Sequence, residues 1–308
     1  MKIAINLLII LIMPLLIQGF IGKFKAFWAG KIGPSVFQPF YDFHKLLYKN
    51  QVISTTTGFV FQLAPVFSLG AILFAALLVP LFDNYSILNL TANFVIFSYI
   101  LAFGRFFMVI GALDTGSSFE GMGANRETIF AAFVEPAFFI IISSFLLLNN
   151  QNCNFSEIIE AVRLDHPVSV VIQILTIIIL FVMILTEACR IPVDDPKTHL
   201  ELTMIHEVMI LDNSGVDLAY FLYGTGLKIV LFSSLIINTV LPAGLPLYLS
   251  LLIFILLLIV IAFIISTVES LMARFRMTHV PQFLFLMISL GLIILSMLFL
   301  YLSGGFND

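Results

Sequence analysis

Residues 246–268 read PLYLSLLIFILLLIVIAFIISTV, a run with no charged side chain. A helix needs about 20 mostly apolar residues to cross a bilayer, because in hydrocarbon every backbone amide must find its partner within the segment. This run satisfies that requirement, and seven further stretches do so as well. They lie at roughly 3–22, 58–82, 91–113, 127–148, 168–187, 217–241 and 280–302. The pattern predicts an all-α integral membrane protein with about eight transmembrane helices, forming a single membrane domain over 1–308. Composition agrees. The chain is 61% hydrophobic and 10% charged, with a mean hydropathy of +1.12, whereas soluble domains carry about 25% charged residues. A soluble enzyme, a nucleic-acid binder and a disordered chain are excluded. The first run is too long for a signal peptide and lacks an Ala-x-Ala site, so an uncleaved span is expected.

Basic residues in short loops set orientation. Lys23, Lys25, Lys31, Lys45, Lys49, Arg126, Arg190, Lys197, Arg274 and Arg276 fall after the odd-numbered spans, and only Lys2 and Arg163 fall on the other side. This predicts a multi-pass protein of the cell inner (plasma) membrane with both termini outside. Three polar segments, 23–57, 114–126 and 188–216, then share the cytoplasmic face.

In the first of these, Pro34 and Pro39 suit a turn and a helix start. Val36, Phe40, Phe43 and Leu47 repeat at helical spacing, opposite Gln38, Asp42, Lys45 and Lys49. An interfacial amphipathic helix is expected, adhering to lipid on one face and offering a partner a polar surface on the other. The third segment crowds Glu187, Arg190, Asp194, Asp195, His199, Glu201, His206 and Glu207 into a greasy background. Glu187 and Arg190 are three apart, close enough to pair as the helix exits. His199, Thr203 and His206 share a helical face, but without a His-Glu-x-x-His spacing a hydrogen-bonded polar cluster is expected rather than a metal site. The two cysteines, Cys153 and Cys189, lie far apart, so no iron–sulfur or zinc site is expected in this chain.

The Gly33-Pro34-x-x-x-Gln38-Pro39-x-x-Asp42-x-x-Lys45-Leu46 segment and the Glu187-x-x-Arg190-x-Pro192-x-Asp194 segment together resemble the subunit 1 family of respiratory complex I. That family includes the membrane subunit of formate hydrogenlyase and other group 4 nickel–iron hydrogenases. The loop from Leu113 to Glu127 fits as well, although Glu120 stands where the family usually has glycine. Complex I members carry acidic residues at Lys197 and His199, so the run from Pro196 to Glu207 looks like the hydrogenase branch.

Arg105, Glu135 and Lys228 lie well inside predicted spans, each at a cost of about 2.5–3.5 kcal/mol near a helix centre. Either they pair to hold helices together, or they line a polar path. Glu135 precedes Pro136, which removes a helical donor and leaves a polar spot beside the carboxyl. By resemblance, Glu135 matches the membrane glutamate at the start of the complex I proton pathway, and Glu127, Glu187, Glu201 and Asp194 fall on acidic positions leading toward it. The resemblance implies a non-catalytic membrane subunit coupling electron transfer to proton or sodium translocation. Its docking surface would include Gln38, Asp42, Lys45, Arg190, His199, His206 and Glu207. Soluble hydrogenase large, small and ferredoxin-like subunits would carry the nickel–iron centre and iron–sulfur clusters, with antiporter-like membrane subunits alongside. Two rival readings are the quinone-binding subunit of an NADH:quinone oxidoreductase and, from another class, a stand-alone secondary transporter.

Overall fold

The computed structural model describes residues 2–90, 92–146, 154–156, 159, 167–195, 204–241 and 245–303. Its described residues form helices without a β-strand. Eight helices are long and apolar enough to cross a membrane: α1 (Lys2–Trp28), α3 (Phe59–Leu78), α4 (Asn93–Asp114), α5 (Ser118–Leu146), α6 (Pro167–Glu187), α8 (Val216–Val240), α9 (Leu247–Leu271) and α10 (Val280–Leu302). Two shorter helices, α2 (Gln38–Leu47) and α7 (His206–Met209), lie between them. Charges, caps and prolines account for where these boundaries differ from the hydropathy pattern. Helix α1 runs past Lys23 and Lys25, because lysine ends an apolar run without ending a helix. Helix α3 stops early because Val79 precedes Pro80 and is held extended at ψ 137°, as the proline ring demands.

The expected loop at 114–126 is corrected. Residues from Ser118 onward already belong to α5. Gly123 serves close packing: a Cβ there would collide with Val208 of α7 and the Ile205 carbonyl. Asp114, at the end of α4, accepts the amides of Gly58 (2.8 Å) and Phe61 (3.0 Å), so it caps α3 from another helix. Glu120 is buried and accepts the Asp212 amide at 3.0 Å, fixing the turn before α8.

Helix α8 is the hub. It packs against α1, α2, α3, α6 and α9 and is the most buried span, whereas α9 and α10 keep most of their surface outward. Membrane helices gain little from burying apolar area and approach closely through small residues instead. On α4, Gly104 and Gly111 face Ala71 and Ala64 of α3. On α8, Gly226 leaves room for the Pro14 carbonyl and the Gln18 side chain of α1, and Gln18 donates to the Leu222 carbonyl at 2.7 Å. The expected amphipathic helix is α2. Phe40 and Phe43 pack on the core, Phe43 against Tyr223 at 5.6 Å between centroids, while Asp42 and Lys45 stay exposed.

Gly226→Ala should lower the unfolding midpoint in detergent, at an overpacking cost of about 1–3 kcal/mol. Gly70→Ala, on the outer face of α3 with nothing near its Cβ, should leave the midpoint unchanged or raised. Equal midpoints for both variants would contradict this packing.

Candidate functional site

Arg105, at the middle of α4, is buried and reaches three carboxylates. It pairs with Glu127 at 3.3 Å and Glu135 at 2.5 Å, both on α5, and with Glu187 at the end of α6. The second oxygen of Glu187 accepts from Lys228 of α8 at 3.1 Å, and Lys228 also reaches the Glu187 carbonyl at 3.3 Å. Glu187 is therefore shared between two cations, and the side chains of Glu187, Arg105 and Lys228 are each less than a tenth exposed. Glu135 sits at the rim of this cluster with its side chain 39% exposed. The cluster holds two cations and three carboxyls.

Arg190 does not pair with Glu187 as the spacing suggested. Helix α6 ends in a Schellman arrangement: Arg190 N–H donates to Leu185 C=O (2.7 Å), Cys189 N–H donates to Thr186 C=O (3.2 Å), and Cys189 takes the left-handed φ of +51°. That turn swings Arg190 off the helix axis. Its guanidinium lies 3.4 Å from Glu269, near the end of α9, and Glu269 also pairs with Lys25 of α1 at 2.9 Å. Asp194 is tied down by Arg274 at 2.9 Å and by the amides of Ile205 (3.1 Å) and His206 (3.0 Å). Burial raises the Asp194 carboxyl above its ordinary value, against the pull of Arg274 and the amides.

Separate cavities border these groups. One of about 300 Å³ opens beside α1, α2 and α8, bordered by Gln18, Lys25, Gln38, Asp42, Arg190 and Glu207. Cys189 separates it from a pocket of about 10 Å³ lined by Asp194, Glu127, Glu187 and Arg105. That is room for about one water. Beyond it, Arg105 and Glu187 border a pocket of about 20 Å³ that reaches Glu135. Burial, with Asp194 nearby, pushes the Glu207 carboxyl up to about 7, so the open cavity carries an acid that titrates near neutrality.

Of the expected path residues, Arg105, Glu127, Glu135, Glu187 and Lys228 meet in one cluster, and Asp194 borders the pocket beside it. Glu201 lies outside the described residues. Of the expected docking residues, Asp42 and Lys45 are exposed and Gln38 is half-buried, donating to Asp42 at 2.9 Å. Glu207 is half-buried at the cavity, whereas His206 is buried and Arg190 nearly so. His199 lies outside the described residues. Among the described residues no cluster of His, Cys, Asp and Glu could hold a metal ion. Sequence reasoning missed Glu269 and Arg274. Glu269 stood at the end of a greasy run and Arg274 counted toward orientation, and neither has a sequence neighbour that reveals its partner.

Removing one partner of a buried pair costs about 3–5 kcal/mol, because the stranded charge stays desolvated. Glu187→Gln should incur that cost at Lys228, which loses its carboxylate, and should also weaken the hold on Arg105, which keeps Glu127 and Glu135. Glu135→Gln leaves Arg105 with Glu127 and Glu187, so it should be far milder. Thermal unfolding of the two variants in detergent checks this, and equal losses would contradict the shared role of Glu187.

The family model of NADH dehydrogenase matches residues 1–301. Hydrogenase-4 component C of Escherichia coli is 31% identical over 240 residues, 77% of this chain and 73% of that protein. Formate hydrogenlyase subunit 4 of E. coli is 33% identical over 132 residues, 43% of each chain. The H chain of the NADH-quinone oxidoreductase of Rickettsia peacockii is 26% identical over 218 residues, 70% of this chain and 63% of that protein. A chain of the membrane-bound sulfane sulfur reductase, an archaeal respiratory membrane complex, shares the fold with a TM-score of 0.77 at 19% identity, covering 96% of this chain and 99% of its own. With eight helices among the described residues long and apolar enough to cross a membrane, and a match over nearly its whole length, this chain belongs to the NADH dehydrogenase subunit 1 family.

Proposed function

We propose that this protein is the membrane component of a many-chain hydrogenase of the formate hydrogenlyase type, coupling electron transfer in soluble partners to proton or sodium movement through its own buried charges. The observation that carries this reading is the continuous set Glu127–Arg105–Glu135 and Arg105–Glu187–Lys228, bordered by water-sized pockets, one of which shares Cys189 with the open cavity. Isolated intramembrane charges are functional sites by default, and this set has one carboxyl more than it has cations. An excess carboxyl under lipid is a seat for an exchangeable proton. Glu127 and Glu135 are the exchangeable members in this reading, and Asp194 lines the small pocket between Glu127 and Cys189. The nickel–iron centre and iron–sulfur clusters belong to the soluble partners. Antiporter-like membrane subunits carry the ion movement onward. The measurement is protons moved per electron by the intact complex in vesicles. Glu135→Gln should assemble and give a lower ratio, and an undiminished ratio would remove Glu135 from the path.

The soluble arm docks on the end of the molecule that carries α2, which the excess of Lys and Arg places in the cytoplasm with both termini outside. Asp42 and Lys45 stand exposed on α2 and form the contact. Arg190 and His206 act from within, as walls of the cavity. Asp42→Lys or Lys45→Glu should release the soluble subunits while the chain remains in the membrane, and a reporter active only in the cytoplasm should give signal after Asn50 and none after Asp308. Unchanged co-purification would exclude α2 as the contact, and signal from the C-terminus would reverse the orientation.

A second reading has a specific observation behind it. The cavity of about 300 Å³ beneath α2 has space for a small ring, and one relative is named as part of an NADH-quinone oxidoreductase. A quinone-dependent activity in the purified complex would favour that reading over the hydrogenase one.

A further inference from the structure

His206 belongs to none of the ion pairs. The residue is 5% exposed, and among the described residues its imidazole makes no hydrogen bond, only an edge-on ring contact with Phe221 at 6.5 Å between centroids. Neither ring nitrogen is a sealed atom without a partner: each keeps open surface and takes no partner among the described residues, so water can satisfy it. The ring's surroundings supply the reason. It borders the open cavity of about 300 Å³ together with Asp42, Arg190 and Glu207. It also borders an inner cavity of about 10 Å³ lined by Arg105, Tyr220 and Lys228. Thr225 borders both as well, but its hydroxyl already donates to the carbonyls of Phe221 and Leu222. That leaves His206 as the group between the two cavities with uncommitted nitrogens.

We propose that His206 relays protons between the open cavity and the Lys228–Glu187–Arg105 cluster, through one water held in the inner cavity. The inference rests on the coupling role proposed for that cluster. Burial and the neighbouring Lys228 ammonium hold the imidazole down to about 3, against the pull of Glu187, so the resting ring is neutral with one donor nitrogen and one acceptor. The transfer balances without a co-reactant. The Lys228 ammonium gives a proton to the inner water as that water gives one to the acceptor nitrogen. The other nitrogen releases its proton to water in the open cavity. Lys228 is left as an amine, Glu187 stays paired with Arg105, and the ring ends as its other tautomer, which a turn of the ring or a return hop resets. Glu207, half-buried on the cavity side, is placed to accept the proton or to supply it. Asp194 takes the His206 amide, which fixes the backbone beneath the ring and leaves the imidazole free to exchange.

The test is the ratio of protons moved per electron in vesicles holding the intact complex, compared for wild type, Glu135→Gln, His206→Gln and His206→Ala, with and without added imidazole. An amide offers a donor and an acceptor but cannot exchange one for the other. His206→Gln should therefore assemble to the wild-type yield and lose at least about tenfold in the ratio, at or below the usual worth of a positioned acid–base group. His206→Ala should lose as much, and free imidazole, small enough for the open cavity, should restore it. An undiminished ratio in both His206 variants, beside a diminished one in Glu135→Gln, overturns the relay and leaves the coupling role standing. A loss in His206→Ala that imidazole does not restore also overturns it, since a merely structural histidine behaves that way. Absence of proton movement in the wild-type complex removes the coupling role and the relay together.

Discussion

The Glu187 carboxylate, held between Arg105 and Lys228, is the interaction around which the helices are arranged. A cation under lipid costs several kcal/mol unless it is paired, and here two cations on different helices share one carboxylate on a third. Neither can be satisfied by its own helix, so α4, α6 and α8 must come together at one depth and one rotation. Arg105 extends the tie to α5 through Glu127 and Glu135. The glycines follow from the same constraint. Gly104 and Gly111 let α3 close on α4, and Gly226 lets α1 close on α8, so the helices carrying the charges sit near enough to pair.

The α2 end is organised by a second sharing. Glu269 holds Lys25 and Arg190 at once, joining α1, α9 and the chain leaving α6 around the open cavity. Two wall cations thereby share one carboxylate and are fixed in place, and the rest of the wall mixes polar groups such as Gln18, Gln38 and Asp42 with apolar Ile21, Ala188 and Leu222. Asp194 performs the matching task on the inner side, where Arg274 and two amides fix it. The cavity keeps its shape because its charged groups are tied to several helices rather than to one.

Much of this was legible in the sequence, and its failures share one physical origin. Spans and the amphipathic α2 were readable because hydropathy and helical spacing are local properties. Arg105, Glu135 and Lys228 stood out because lipid makes each expensive by itself. Partners were not readable, since pairing depends on helix rotation and on the turn that ends α6. Glu187 and Arg190 have the spacing of a pair, yet the left-handed Cys189 sends them in opposite directions. Glu269 and Arg274 looked like ordinary ends of a span, because their partners, Lys25 and Arg190 for one and Asp194 for the other, are brought to them only by the fold. The polarity of 114–126 suggests a loop, whereas α5 begins at Ser118 and uses Gly123 to bring α7 close.

The cluster also separates two tasks that a lone ion pair would confuse. A proton added to Glu187 would weaken its hold on two cations and loosen three helices, so this carboxylate suits holding the fold and suits proton carriage poorly. Among the described residues Glu127 and Glu135 each form an ion pair with Arg105, and Arg105 keeps Glu187 whichever of the two is neutral. Either can therefore take up a proton without stranding a buried charge. Glu135 lies at the rim, with its side chain 39% exposed. The fold is held by Glu187, which stays ionised in the proposed exchange, whether the proton moves at Glu127 and Glu135 or at Lys228.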